Sequence, residues 1–311
     1  MKNLFFYPLL LLAVINAYCQ SESDYKMINL TKSSDHAEPS IESIAEIDKA
    51  IPETEKKALN TYALIVGNEN YTKYQTNLSV ESDVDYAVND ALVFSKYCKK
   101  TLGIPEDNIK VLTNATNSEM RKSIQWLQSR AEYGGEDIEL IFYYSGHGFP
   151  DPDTKEKYIM PVDVNAVNVK EGIRVAGLYK DLTEYTSKKV TVFLDACFSG
   201  GGRESGLLAA KAVKIKPKEN AIVDGKLVVF SSSSEEQESL FYKEKRHGIF
   251  TYYLLKKLQE SKGDITYKAL KDYLHQNVGM KAIDLYYQKQ EPEVNYSEAV
   301  KNEWENWKLT E

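Results

Sequence analysis

Tyr143-Tyr144-Ser145-Gly146-His147-Gly148 and Leu194-Asp195-Ala196-Cys197-Phe198-Ser199-Gly200 decide the reading of this chain, because each places one reactive side chain just past an apolar run, with His147 and Cys197 fifty residues apart. The runs that precede them, Glu139 to Tyr144 and Val190 to Leu194, are short, β-branched and aromatic, and are stopped by glycines. Buried strands of a parallel sheet read this way. Ligands of such sheets bind beyond the carboxyl ends of the strands, so His147 and Cys197 are expected to face one crevice. Neighbouring strands lie about 4.8 Å apart, which brings an imidazole within reach of a thiol whatever their spacing in sequence.

Outward from these two runs the pattern alternates. Tyr62 to Val66 reads as a buried strand, Asp83 to Leu102 as a helix, Ile109 to Leu112 as a strand and Ser118 to Glu132 as a helix. A short hairpin-like piece over Tyr158 to Val162 and a helix near Leu178 to Thr186 come between the two decisive strands. Beyond them lie a strand at Leu227 to Ser231 and amphipathic helices at Gly248 to Gln259 and Ile265 to Val278. Alternation of this kind builds right-handed crossovers, a mostly parallel central sheet and helices on both faces, an α/β three-layer sandwich. Glu298 to Glu311 is read as a helical tail with Trp304 and Trp307 on one face.

The flanks have a different character. Met1-Lys2-Asn3, the apolar stretch Leu4 to Ile15 and the residues up to Cys19 read as a secretory signal peptide, too short to span a bilayer. Tyr18, bulky where lipoprotein processing wants a small residue, argues against a lipid anchor at Cys19. The expected location is therefore secreted or periplasmic. Residues 20–58 read as an acidic linker or pro-segment that contains His36, and 59–297 as the folded domain. A net charge of −7 argues against a nucleic-acid partner. After cleavage only Cys98 and Cys197 remain. Cys98 falls on the helical period of its segment and reads as buried, which leaves Cys197 as the chemical thiol.

A thiol is mostly protonated at neutral pH, and a neighbouring imidazole lowers its pKa and supplies a proton to a leaving amine. His147, following a buried strand and bracketed by glycines, is the natural partner, whereas His247 and His275 look ordinary. Acyl transfer also needs donors for a developing oxyanion. The amides of Gly148 and Cys197 are placed to supply them. Gly200-Gly201-Gly202 is not a phosphate loop, since no Lys-Ser/Thr follows.

The chain resembles the caspase-like cysteine peptidases, and within them the metacaspase and bacterial orthocaspase branch. The resemblance is carried by Asp195-Ala196-Cys197 with a histidine fifty residues upstream, by Ala63-Leu64-Ile65-Val66-Gly67-Asn68-Glu69-Asn70-Tyr71, by Asn89-Asp90-Ala91 and by Phe230-Ser231-Ser232-Ser233. It implies a peptide or protein substrate cut after Arg or Lys, because an aspartate stands where caspases proper carry glutamine. Asp195 would accept the cationic head, Ser145 would line the pocket and Glu236 would lean towards it. The loop over 201–225 is basic, so Arg203, Lys211, Lys214, Lys216 and Lys218 are candidate self-processing positions. Cys-His hydrolysis requires no cofactor. Metacaspases bind calcium through several aspartates, but Asp151, Asp153 and Asp163 lack the spacing of a dedicated loop, so calcium enters only as an optional ion. The alternatives are a catalytically silent scaffold of the same fold, or a cysteine peptidase resembling clostripain or gingipain.

Overall fold

Thr61–Gly67 (β1), Ile109–Thr113 (β2), Glu139–Ser145 (β3), Lys189–Asp195 (β7) and Leu227–Ser231 (β8) form in the computed structural model where the β-branched and aromatic runs predict strands. The structure describes residues 45–75, 81–199, 225–234 and 237–309. The main sheet runs in the order Glu293–Tyr296 (β11), β8, β7, β3, β1, β2. Its pairings are parallel except for the edge strand β11, which lies antiparallel to β8. Three short strands, Gly148–Pro150 (β4), Lys157–Ile159 (β5) and Ile173–Arg174 (β6), make a second sheet beside it. Phe241–Tyr242 (β9) and His247–Gly248 (β10) make a two-stranded ribbon.

Alternation along the strands sorts the core into two layers. Ala63, Ile65, Ile141, Tyr143, Phe193, Val228 and Phe230 face one side, where helices Ala87–Lys100 (α1), Ile249–Ser261 (α4) and Tyr267–Tyr286 (α5) cover them. Leu64, Val66, Leu140, Phe142, Tyr144, Val192, Leu194 and Val229 face the other, under Asn117–Gly134 (α2) and Val175–Thr183 (α3). A capping box starts α2: the Thr116 hydroxyl accepts from the Glu119 amide, and the Glu119 carboxylate accepts from the Thr116 amide.

Three readings change. The first helix begins at Ala87 rather than Asp83, because Tyr86 just before it sits in a left-handed conformation (φ 70°). The tail is not an α-helix: Glu298–Val300 and Trp304–Asn306 are single 3₁₀ turns. Trp304 is buried and stacks on Tyr296 at 5.0 Å, and the Tyr267 amide donates to the Trp307 carbonyl (2.7 Å), so the chain is drawn along the domain instead of coiling. The acidic linker is shorter than expected, for residues from 45 onward already pack: Ile47 is fully buried and its carbonyl accepts from the Tyr97 hydroxyl. The Thr54 amide donates to the Lys100 carbonyl, satisfying one of the acceptors orphaned at the end of α1. His36, Arg203, Lys211, Lys214, Lys216, Lys218 and Glu236 lie outside the described residues. Among the described residues no helix is long and apolar enough to cross a membrane.

Candidate active site

β3 and β7 are adjacent and in parallel register, and their last paired residues are Ser145 and Asp195. His147 and Cys197 each follow by two residues, so they leave the sheet at the same edge and level. The two turns touch. A side chain at Gly148 would meet the Cys197 carbonyl at 2.7 Å and the Phe198 ring at 2.7 Å, and one at Gly146 would meet the Tyr144 hydroxyl at 2.6 Å. The glycines either side of His147 are therefore required by close approach.

The imidazole of His147 is held on several sides. Its Nε2 lies 2.7 Å from the Ser82 carbonyl, and a carbonyl only accepts, so Nε2 carries a proton. A neutral ring in that tautomer keeps its lone pair on Nδ1, the form a general base needs. Tyr71 lies against the ring at 4.6 Å between centroids, and its hydroxyl accepts from the His147 amide (3.0 Å). The Tyr144 hydroxyl donates to the His147 carbonyl (2.7 Å), and Phe149 closes another side at 5.4 Å.

Cys197 is 4% exposed, and the backbone amide of Ser239 points at its sulfur at 2.6 Å. The Ser239 carbonyl lies 3.6 Å from the same sulfur, so the amide and the carbonyl of one residue both face the thiol. Ser239 also donates its hydroxyl to Asp195 Oδ1 (2.5 Å), so one residue ties the thiol to the carboxylate two positions before it. The contrast with Cys98 is plain: both cysteines are free, but burial in the apolar core pushes the Cys98 thiol well above its usual range.

Asp195, Ser145 and Asp90 form a buried polar row beneath this edge. Asp195 Oδ2 accepts from the Thr251 hydroxyl (2.7 Å) and the Thr251 amide (3.3 Å). Asp90 accepts from the Ser145 hydroxyl (3.2 Å), the Gly248 amide and His247 Nδ1 (2.7 Å). Gly248 and Thr251 belong to the first turn of α4, whose unpaired N–H groups attract anions. Two acids from distant parts of the chain are thus stabilised by one helix end.

Of the expected residues, the structure brings His147, Gly148, Cys197, Ser145 and Asp195 together. The acids considered for calcium are engaged elsewhere: Asp151 accepts from the Asp153 and Thr154 amides and pairs with Lys170, and Asp163 accepts from the Asn117 amide. Among the described residues no group of three or more His, Cys, Asp or Glu gathers as a metal would require. His247 is not ordinary, since it is fully buried between two aspartates. Ser82 and Ser239 act through backbone groups, which leave no mark in a sequence pattern, and Tyr71 stood out only as the end of the Ala63 to Tyr71 motif. Asp90 was visible only as part of Asn89-Asp90-Ala91.

The caspase-domain profile matches residues 60–302. The chain belongs to the caspase-domain family. Metacaspase-9 of Arabidopsis thaliana is 27% identical over 137 residues, a match that takes in 40% of this chain and 40% of that protein. The crystal structure of protein GSU0716 from Geobacter sulfurreducens is similar in fold, with a TM-score of 0.54 at 18% identity over 76% of this chain and 93% of that one. Caspase-1 from Spodoptera frugiperda aligns at 15% identity and a TM-score of 0.49, covering 79% of this chain and 90% of that one.

Proposed function

We propose that this caspase-domain protein is an exported cysteine endopeptidase that cuts peptide bonds after Arg or Lys, with Cys197 as nucleophile and His147 as acid and base. The observation that supports it most is the pairing of two turns beyond adjacent parallel strands, one carrying an imidazole with Nε2 on the Ser82 carbonyl and the other a thiol under the Ser239 amide. Cys197 Sγ passes its proton to His147 Nδ1 and attacks the scissile carbonyl carbon, and the Gly148 and Cys197 amides hold the oxygen as it gains charge. The C–N bond then breaks, and His147 gives its proton to the departing amine. Water, deprotonated by the same ring, hydrolyses the acyl-enzyme and frees the thiol.

The preference for a cationic residue is supported by the row of Asp195, Ser145 and Asp90. Each carboxylate oxygen can accept more than one hydrogen bond, so a guanidinium or ammonium head can share these acids with the hydroxyls now on them. Self-processing at Arg203, Lys211, Lys214, Lys216 or Lys218, and an effect of added calcium, belong to the same proposal.

Fluorogenic peptides ending in Arg, Lys, Asp or Leu, incubated with the wild type and with Cys197→Ala, test the reading. Turnover of the Arg and Lys peptides by the wild type alone is expected. Equal turnover by both proteins, or a preference for the Asp peptide, overturns it. Electrophoresis of the two proteins reports self-processing, and N-terminal sequencing of the protein recovered outside the cytoplasm reports export.

A further inference from the structure

His247 sits where three elements meet, at full burial. Nδ1 lies 2.7 Å from Asp90 Oδ1 on α1, and Nε2 lies 3.0 Å from Asp48 Oδ1 on the N-terminal turn Glu46–Lys49. Both ring nitrogens therefore face carboxylate oxygens. A neutral imidazole has one N–H and would turn a lone pair on the other acid, whereas an imidazolium donates to both. The geometry asks for the charged ring.

The remaining groups around it are accounted for. Asn89 on α1 places its side-chain amide 3.3 Å from Nε2 and donates to the Arg246 carbonyl. Glu46 is ion-paired to Lys245 at 2.7 Å and also bonds the Tyr252 hydroxyl. Tyr242 faces His247 across the β9–β10 ribbon. Glu69 accepts from the Val88 amide at the start of α1, and Asp195 lies one helical turn on through Thr251. The ring touches Asp90 directly. Asp90 in turn accepts from Ser145, so contacts run from Asp48 through His247 and Asp90 to the strand end that precedes His147.

We propose that His247 is a positioning residue: held as an imidazolium between Asp48 and Asp90, it fixes Asp90 against Ser145, balances one of the acids beneath the thiol, and makes the N-terminal turn Glu46–Lys49 a working part of the substrate pocket. This deepens the endopeptidase reading and rests on it for the pocket, though not for the charge state of the ring. Burial alone would lower the ring's pKa, but the hydrogen bonds to Asp48 and Asp90 and the charges of both acids outweigh it and raise the value from 6.5 to about 9. With the cation removed, Asp48 and Asp90 would face each other as like charges across a buried site, which favours uptake of a proton by the pair.

The charge state is tested on the full chain with ¹⁵N-labelled histidine in the Cys197→Ala background, with His247→Gln used to assign the signal. Both ring nitrogens of His247 are expected to be protonated from pH 5.5 to 7.5. A ring that is neutral at pH 7 overturns the proposal. The pocket role is tested by steady-state kinetics of His247→Gln and Asp48→Asn on an Arg peptide. For His247→Gln the expected result is a KM raised about tenfold with kcat within about twofold, and an ionisation between about pH 5 and 7 that the wild type lacks. Asp48→Asn, a milder change should His247→Gln fail to fold, is expected to raise KM in the same direction by a smaller factor. An unchanged KM with a flat pH profile confines the bridge to stability and overturns the pocket role. A wild type that cleaves no basic peptide defeats the endopeptidase reading and, with it, the pocket role, while the labelled ring still decides whether the imidazolium exists.

Discussion

The two ends of strands β3 and β7 both bury ionisable groups, and they do so in opposite ways. At the amino-terminal end Glu139 and Lys189 are register partners; the carboxylate pairs with Lys189 at 3.2 Å and Lys188 at 3.0 Å, and accepts from the Thr61 hydroxyl. Unlike charges there close on one another. At the carboxyl-terminal end Asp195 and Asp90 accept hydrogen bonds from hydroxyls, from amides at the start of α4 and from one imidazole. An acid paired with a lysine is a finished structural unit. Asp195, held by hydroxyls and an amide, is the acid placed where the proposed pocket would receive a basic side chain.

Experiments that break one end should therefore leave the other standing. The largest effect is expected at the carboxyl end: Cys197→Ala should reduce peptide hydrolysis by at least about 10³-fold, measured as kcat/KM, with the unfolding midpoint little changed. At the amino end Glu139→Ala takes the carboxylate away from buried Lys189, which keeps its bond to the Lys308 carbonyl, and should cost about 3 kcal/mol in urea unfolding. The kcat/KM of the folded fraction should stay at the wild-type value. A loss of activity per folded molecule in that variant would mean that the two ends are coupled.

Asp195→Asn sharpens the comparison. Losing a charged acceptor should weaken kcat/KM for an Arg peptide by about 1.5 to 3 kcal/mol and leave a peptide with a neutral residue at that position less affected. If both peptides fall equally, Asp195 serves the fold alone. The pH dependence follows from His247, whose pKa is raised from 6.5 to about 9 in the folded chain. Its contribution to stability is present in full below pH 6.5 and is lost as pH rises through about 9, so thermal melts over that interval should fall more steeply for the wild type than for His247→Gln. The smallest effect is expected far from both ends: Thr116→Ala removes the cap of α2 and should cost about 1 kcal/mol with no change in activity.

Most of the sheet was legible because its strands are continuous apolar runs stopped by glycine, a signal that survives without neighbours. Glu293–Tyr296 was not, since its alternation is weak and it is a strand only because the free edge of β8 accepts it. The tail was misread for a related reason: Trp304 and Trp307 suit a helix period, yet their burial against Tyr296 and Tyr267 sets the course of the backbone.

By itself the chain determined the alternation of strands and helices, the two strand ends, and the identity of the thiol and imidazole placed beyond them, because hydrophobic period and glycine punctuation are local properties. Only the tertiary structure decided that Ser82 would orient the ring, that Ser239 would touch the sulfur, and that His247 would stand between Asp48 and Asp90. Those contacts join residues from 42 to 199 positions apart, and no local pattern encodes which distant carbonyl, amide or carboxylate folding will bring to a given atom.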